Sequence, residues 1–283
     1  MSFSLPAVSD LPPLGPSVAL VASGFLRELA TTRLRRDEPA FVDKITAFNA
    51  SVLKTRRTLF EEHEGIAVIR VEGMLVNALG CLDPYWGMTG YDGIQAKLSA
   101  AVDDPDIRGV VLLVRSGGGE VSGCADTAEA IYRARAAKPI VAILDDCAYS
   151  AAYWLAAAAH SIAVPGTGGV GSIGAVGLHI DMSKALEKSG LGVTVLRAGA
   201  RKAETLPYEA LSTDAQAAWL DELVAIRALF VGSVARYRSL SVDALMATEA
   251  RTLPVITGEA LRHRLADAIA SPSQAWRAFA DHT

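Results

Sequence analysis

Apolar residues recur along this chain with two periods, and the change from one to the other falls at Gly65. Before it, residues 17–60 mix charge with a weak stripe of Phe25, Leu26, Leu29, Phe41, Ile45 and Phe48, which reads as helical. After it, IAVIRVEGMLV (66–76) predicts a strand, and YDGIQAKLSAAVDD (91–104) a helix with Ile94, Leu98 and Val102 on one face. GVVLLV (109–114) has no polar alternation, as expected of a strand buried on both faces, and SGGG (116–119) breaks it. A helix over 122–136, a strand at PIVAIL (139–144), a helix after Ser150 and a strand at SIAV (161–164) follow. DMSKALEKSG (181–190) predicts a short helix and VTVLRA (193–198) a strand. A long helix runs over 211–238, with Ser212 or Thr213 placed to cap it. Two shorter helices close the chain, one after Ser241 and one from Thr257 to about Ala270. Strand and helix alternate from 66 to 200, which predicts an α/β core with mostly parallel strands.

The punctuation divides the chain. Pro6, Pro12, Pro13 and Pro16 lead to the expectation of a flexible arm over residues 1–16. Residues 17–64 form a helical region, 65–270 the α/β domain and 271–283 a C-terminal tail. With 51% hydrophobic and 20% charged residues among 283, the chain can bury a sizeable core. A net charge of −4 gives no general attraction to nucleic acid or to an anionic membrane surface. The prolines interrupt any leader-like run, and Ser17–Leu26 and Ala151–Ala159 fall short of the roughly 20 residues that span a bilayer, so a soluble chain without a transmembrane anchor is expected. Cys81, Cys124 and Cys147 form no CxxC pair and read as buried thiols in a reducing compartment. The five histidines have no metal-ligand spacing, and neither a metal nor another cofactor is expected.

In parallel sheets, sites are built at the carboxyl ends of strands, and three strand ends carry chemistry here. RSGGGE (115–120) is a tight turn or a set of backbone N–H groups able to hold an oxyanion; no GK[ST] follows, so it is not a phosphate loop. Ser150, in CAYSAAYWLAAAA, opens a helix and is either its N-cap or a nucleophile with the Ala151 N–H beside it. A nucleophilic serine needs a base. His160 lies at the far end of the same helix, whereas His179 and Lys202, in LRAGARKAE, follow later strands. Spacing alone does not choose between them, nor raise Lys202 above a solvated surface lysine.

The ordered segments GMLV, PYWGMTGYDGI, GVVLLVRSGGGEVSG, CAYSAAYWLAAAA, GSIGAVG, ALEKSG, GARKAETLPYEALS and ITGEALRHRLADAI do choose. Over about residues 65–270 the chain resembles the signal peptide peptidase A family of serine–lysine peptidases, in particular its capsid assembly proteases of lambda-type tailed phages. That resemblance implies a ClpP/crotonase-like fold with mostly parallel strands and flanking helices. It implies Ser150 as nucleophile, Lys202 as general base and Ser172, in GSIG, as the serine that holds the lysine amine. Gly118 is then the oxyanion donor with the Ala151 N–H, and Gly119 is next. Gly117 stands where the family has proline, Ala198 replaces a frequent serine and Ala203 a frequent aspartate. The partners implied are protein or peptide substrates, among them scaffold, portal and capsid proteins, and further copies of the chain in a homo-oligomeric ring. The setting implied is the cytoplasm of a bacterial host or the procapsid inside it. Three other readings stand beside this one: a cytoplasmic peptidase that degrades signal peptides by the same chemistry, a crotonase-like thioester enzyme with Glu120 as its acid–base residue, and a non-catalytic capsid module.

Overall fold

A computed structural model describes residues 17–21, 47 and 59–283. Its strands are β1 (Ser17–Val21), β2 (Glu61–His63), β3 (Ile66–Val76), β4 (Met88–Gly90), β5 (Gly109–Glu120), β6 (Ile140–Tyr149), β7 (Ser161–Val164), β8 (Gly169–Gly171), β9 (Val176–Leu178), β10 (Thr252–Pro254) and β11 (Ala268–Ile269). Its α-helices are α1 (Tyr91–Asp103), α2 (Cys124–Ala134), α3 (Ala151–Ala157), α4 (Ser183–Lys188), α5 (Thr213–Arg238), α6 (Val242–Met246), α7 (Glu259–Arg262) and α8 (Pro272–His282). β3, β5, β6 and β7 lie side by side in parallel, with β4 parallel to β3, β8 to β6 and β11 to β7. β2, β10 and β1 add antiparallel pairs, the last bridging β5 and β9. The expected α/β class, mostly parallel with flanking helices, is what the chain adopts.

The unbroken apolar run in β5 is explained by burial on two faces. Val110, Leu112 and Val114 join the main core with Ala142 and Leu144 of β6, α1, α2, α3 and the end of α5. Val111 and Leu113 turn the other way, with Ile66, Val141 and Ile143, onto Ala275, Trp276 and Phe279 of α8. Strand alternation sends successive side chains to opposite faces, so a strand covered on both has no polar phase. Within residues 271–283, the expected C-terminal tail, α8 packs on the sheet. Ser271 and Gln274 form a capping box, Pro272 starts the helix, and a Cβ on Gly109 would come 2.9 Å from the Phe279 ring.

Other expectations are corrected by pairing. Residues 17–21 are a strand rather than the beginning of a helix; the rest of the expected helical region, apart from Ala47 and residues 59–64, lies outside the described residues, as does the arm 1–16. VTVLRA (193–198) forms no strand and leaves Leu196 90% exposed. Its alternation is that of a strand, but it pairs with no strand among the described residues. The segment 257–270 splits into α7 and β11, with Gly258 left-handed between a 3-10 turn at Val255–Thr257 and α7. The helix expected over 211–238 is present with Ser212 as its cap, accepting from the Ala215 N–H, and Ser241 caps α6 in the same way.

Candidate active site

The stretch after β6 is built for close packing. Every residue from Ala151 to Ala159 is fully buried, and Trp154 stacks on Phe230 of α5 with ring centroids 4.4 Å apart. Small side chains let α3 sit between the sheet and α5, which places its first residue at the carboxyl end of β6. Ser150 occupies that junction at φ 54° and ψ −123°, a conformation costly for a residue with a Cβ. The backbone is held there from both sides: the Ser150 N–H donates to the Gly171 carbonyl at 2.8 Å, and its carbonyl accepts from the Trp154 N–H at 3.0 Å. Its side chain does not cap the helix. Ser150 is 0% exposed and its Oγ has no hydrogen-bond partner. Strain of ~1–3 kcal/mol and a buried unpaired hydroxyl costing ~1–3 kcal/mol fall on one residue, with no structural gain from that hydroxyl.

Ser172 is brought to the same place. Tyr149 and Gly171 are register partners across β6 and β8, so residues 150 and 172 leave adjacent strand ends together. Ser172 is also left-handed (φ 57°), 8% exposed, and tied by its N–H to the Arg251 carbonyl at 2.9 Å.

The glycine run is not a turn. β5 continues through it to Glu120, with register shifts between Val114 and Ser116 against β6 and between Glu72 and Met74 against β3. Ser116 clamps this bend: its Oγ donates to the Gly73 carbonyl at 2.6 Å and accepts the Gly118 N–H at 3.1 Å. Gly118 has φ 116°, and a Cβ on Gly119 would lie 2.0 Å from the Leu75 carbonyl oxygen. Both positions therefore require glycine. The Gly118 N–H is engaged by Ser116, whereas the Ala151 N–H is the first of its helix and has no intrahelical acceptor.

Neither candidate base reaches the serine within one chain. Because the Ser150 Oγ has no partner, the Lys202 amine is outside hydrogen-bond distance. Lys202 is exposed, in a turn closed by its own N–H on the Gly199 carbonyl and by Arg197 Nε on the Lys202 carbonyl at 2.8 Å. The His179 Nε2 sits 3.1 Å from the Leu206 carbonyl in the same arm, and His160 Nδ1 accepts the Ile140 N–H away from the site. Burial, then Arg135, lowers the His160 pKa.

Composition and motif reading passed over the supports. Thr89 bonds both backbone groups of Glu72, its Oγ1 accepting at 3.0 Å and donating at 2.6 Å, and so holds the β3 bend. The Tyr91 hydroxyl donates to the Glu120 carbonyl at 2.7 Å, and Glu120 Oε2 accepts the Asn77 N–H, which places that carboxylate in a loop anchor. Thr89 and Tyr91 belong to MTGYDGI, so the motif was a usable signal. Tyr153, within CAYSAAYWLAAAA, is fully buried with its hydroxyl donating to the Leu265 carbonyl at 3.0 Å. All three cysteines are buried free thiols, as expected; burial pushes Cys124 and Cys147 up to about 12. Among the described residues, no group of acidic, histidine or cysteine side chains could hold a metal, and no helix is long and apolar enough to cross a membrane.

The model of peptidase family S49 matches residues 133–283. Over 239 residues the chain is 37% identical to the head-tail preconnector protein GP5 of Enterobacteria phage P21, covering 84% of this chain and 47% of that protein. Over 217 residues it is 38% identical to the capsid assembly protease C of Escherichia phage lambda, covering 76% and 49%. The chain thus spans about half the length of these curated relatives. Among solved structures, a ClpP1 mutant from Listeria monocytogenes aligns at 10% identity and a TM-score of 0.43, over 72% of this chain and 90% of that one.

Proposed function

The chain belongs to peptidase family S49, and on that premise we propose that it is a serine endopeptidase acting through Ser150 and Lys202 in the maturation of a phage head. The observation that carries the reading is Ser150 itself, strained, buried and unpaired where a strand enters a helix. Lys202 takes the Ser150 proton, the hydroxyl oxygen attacks a peptide carbonyl, and the oxyanion is met by the Ala151 N–H together with Gly118 or Gly119. For Gly118 to donate, its N–H leaves Ser116 Oγ, which then keeps only its bond to Gly73. Lys202 returns the proton to the leaving amine, and water releases the acyl group. Ser172, one residue beyond the carbonyl that anchors Ser150, orients the amine. This chemistry needs Lys202 covered and partly desolvated, and a further copy of the chain in a homo-oligomer supplies the cover. One relative is named a head-tail preconnector protein and another a capsid assembly protease, which supports head proteins as substrates; we take scaffold and portal proteins to be among them, cut within the host cell or the procapsid.

The test compares wild type, Ser150→Ala and Lys202→Ala on an unfolded protein substrate from pH 6 to 10, with products read by mass spectrometry. Both variants should lose at least about 10³-fold in kcat while keeping the fold, and wild-type activity should rise toward alkaline pH. Cleavage that survives in Lys202→Ala moves the base to His179; a flat profile counts against a lysine base.

A further inference from the structure

The far end of β5 has an occupant. β3 pairs with one edge of β5 as far as Leu75 opposite Gly119, and β6 pairs with the other as far as Ala148 opposite Ser116, where it departs toward Ser150. On the edge that β6 vacates lies β1, antiparallel, with Val21 opposite Gly118, Leu20 opposite Gly119 and Ala19 opposite Glu120. Its other edge pairs antiparallel with β9, Ser17 to Ala19 opposite Leu178 to Val176. Among the described residues β9 joins the sheet only through β1. Between β5 and β9 there is thus a lane one strand wide, about 10 Å between flanking strands, edged by backbone groups. Its direction is set: the strand that fills it runs from Glu120 toward Gly118, so its carboxyl end arrives at the glycines beside the Ser116–Ala148 pair, two residues before Ser150.

We infer that residues 17–21 are a built-in occupant of the peptide-binding lane and that an extended peptide must displace them to reach Ser150. The recognition is β-strand addition on two edges at once, so its strength comes from the main chain, and the segment Ser-Val-Ala-Leu-Val competes as any peptide of small and apolar residues would. An occupant tethered to its own site acts at an effective concentration near ~1 mM, so a segment of ~100 µM intrinsic affinity weakens any free competitor by about tenfold. The inference rests on the peptidase reading only in calling this lane the substrate's; the occupancy itself is tested without turnover.

The experiment uses the full chain carrying Ser150→Ala and a fluorescein-labelled peptide of residues 14–24, followed by anisotropy. Adding Ala19→Pro and Leu20→Pro, which remove two N–H donors from β1, should tighten peptide binding about tenfold and speed amide hydrogen exchange at Gly118–Glu120 and Val176–Leu178. Leu20→Val should leave both unchanged. In the chain without prolines, excess unlabelled peptide should accelerate exchange of the amides of residues 17–21, a result that needs no β1 variant to fold. Equal affinity for the two chains, or exchange at 17–21 indifferent to added peptide, overturns the inference. Neither readout depends on cleavage, so an inactive wild type would sink the peptidase reading and leave this one standing or falling on its own.

Discussion

At the scale of the residue, Ser150 is a place where stability is spent. Its φ of 54° is sparsely populated for a side chain with a Cβ, and its hydroxyl is buried without a partner. Ser150→Ala removes the unpaired hydroxyl and keeps the backbone, so it should raise stability by about 1–2 kcal/mol, read as a higher urea midpoint at unchanged m-value. Ser150→Gly should add to this by relieving the left-handed strain, by about 1 kcal/mol. A loss of more than about 1 kcal/mol in the alanine variant would mean that the hydroxyl serves the fold after all. The sequence pointed to this serine by resemblance, but the local pattern gave the opposite weighting. A serine before an alanine-rich helix reads as a cap, and only the dihedrals and the missing cap bond separate the two roles. Ser116 was illegible for a related reason: its two hydrogen bonds, to Gly73 and Gly118, join groups 43 residues apart and within one bend.

Elements were legible where burial alone defines them. IAVIRVEGMLV and SIAV are strands over the residues predicted, because each is apolar and bounded by a change of polarity. They were misread where a neighbour defines them. Glycines end strand patterns, yet β5 runs on through three of them because β3 supplies the pairing to Gly119. β9 is a further such case. A Cβ on Gly177 would lie 2.5 Å from Trp219 Cζ2 of α5, so glycine lets the strand rest against that ring and defines one wall of the lane. Gly177→Ala should push β9 off α5 at a cost of about 1–3 kcal/mol. Peptide affinity should fall about tenfold, and the melting temperature should fall by several degrees, since β9 is only partly buried but packs Val176 on the cluster of Met74, Leu79 and Met88. Trp219→Ala in the same chain should restore most of the affinity, while Trp219→Ala alone changes it little. Additive losses in the double variant would place the effect elsewhere than at this contact.

At the scale of the molecule, the apolar surface is unevenly distributed. The second half of α5 is buried through Phe230, Val231, Val234 and Tyr237, whereas the first half, packed through Ala215 and Trp219, presents Leu220 and Val224, one turn apart, each 58% exposed. Leu178, Ile180, Leu191, Val193 and Leu196 are exposed along β9 and the arm that follows it and bears Lys202. Apolar residues spaced four apart on a helix and repeated along a neighbouring arm are what a contact between copies would bury. The same contact would desolvate Lys202, so assembly and activity should be lost together. Leu220→Glu with Val224→Glu should shift the sedimenting species from oligomer to monomer and lower cleavage at least about tenfold, with an unchanged circular dichroism spectrum. Ser150→Ala should abolish cleavage and leave the oligomer intact, because its site is inside the fold. A glutamate variant that is monomeric yet fully active would show that Lys202 finds its cover within one chain and would dissociate the chemistry from assembly. One that stays oligomeric and active would remove α5 from the contact and leave the arm as the surface to change next.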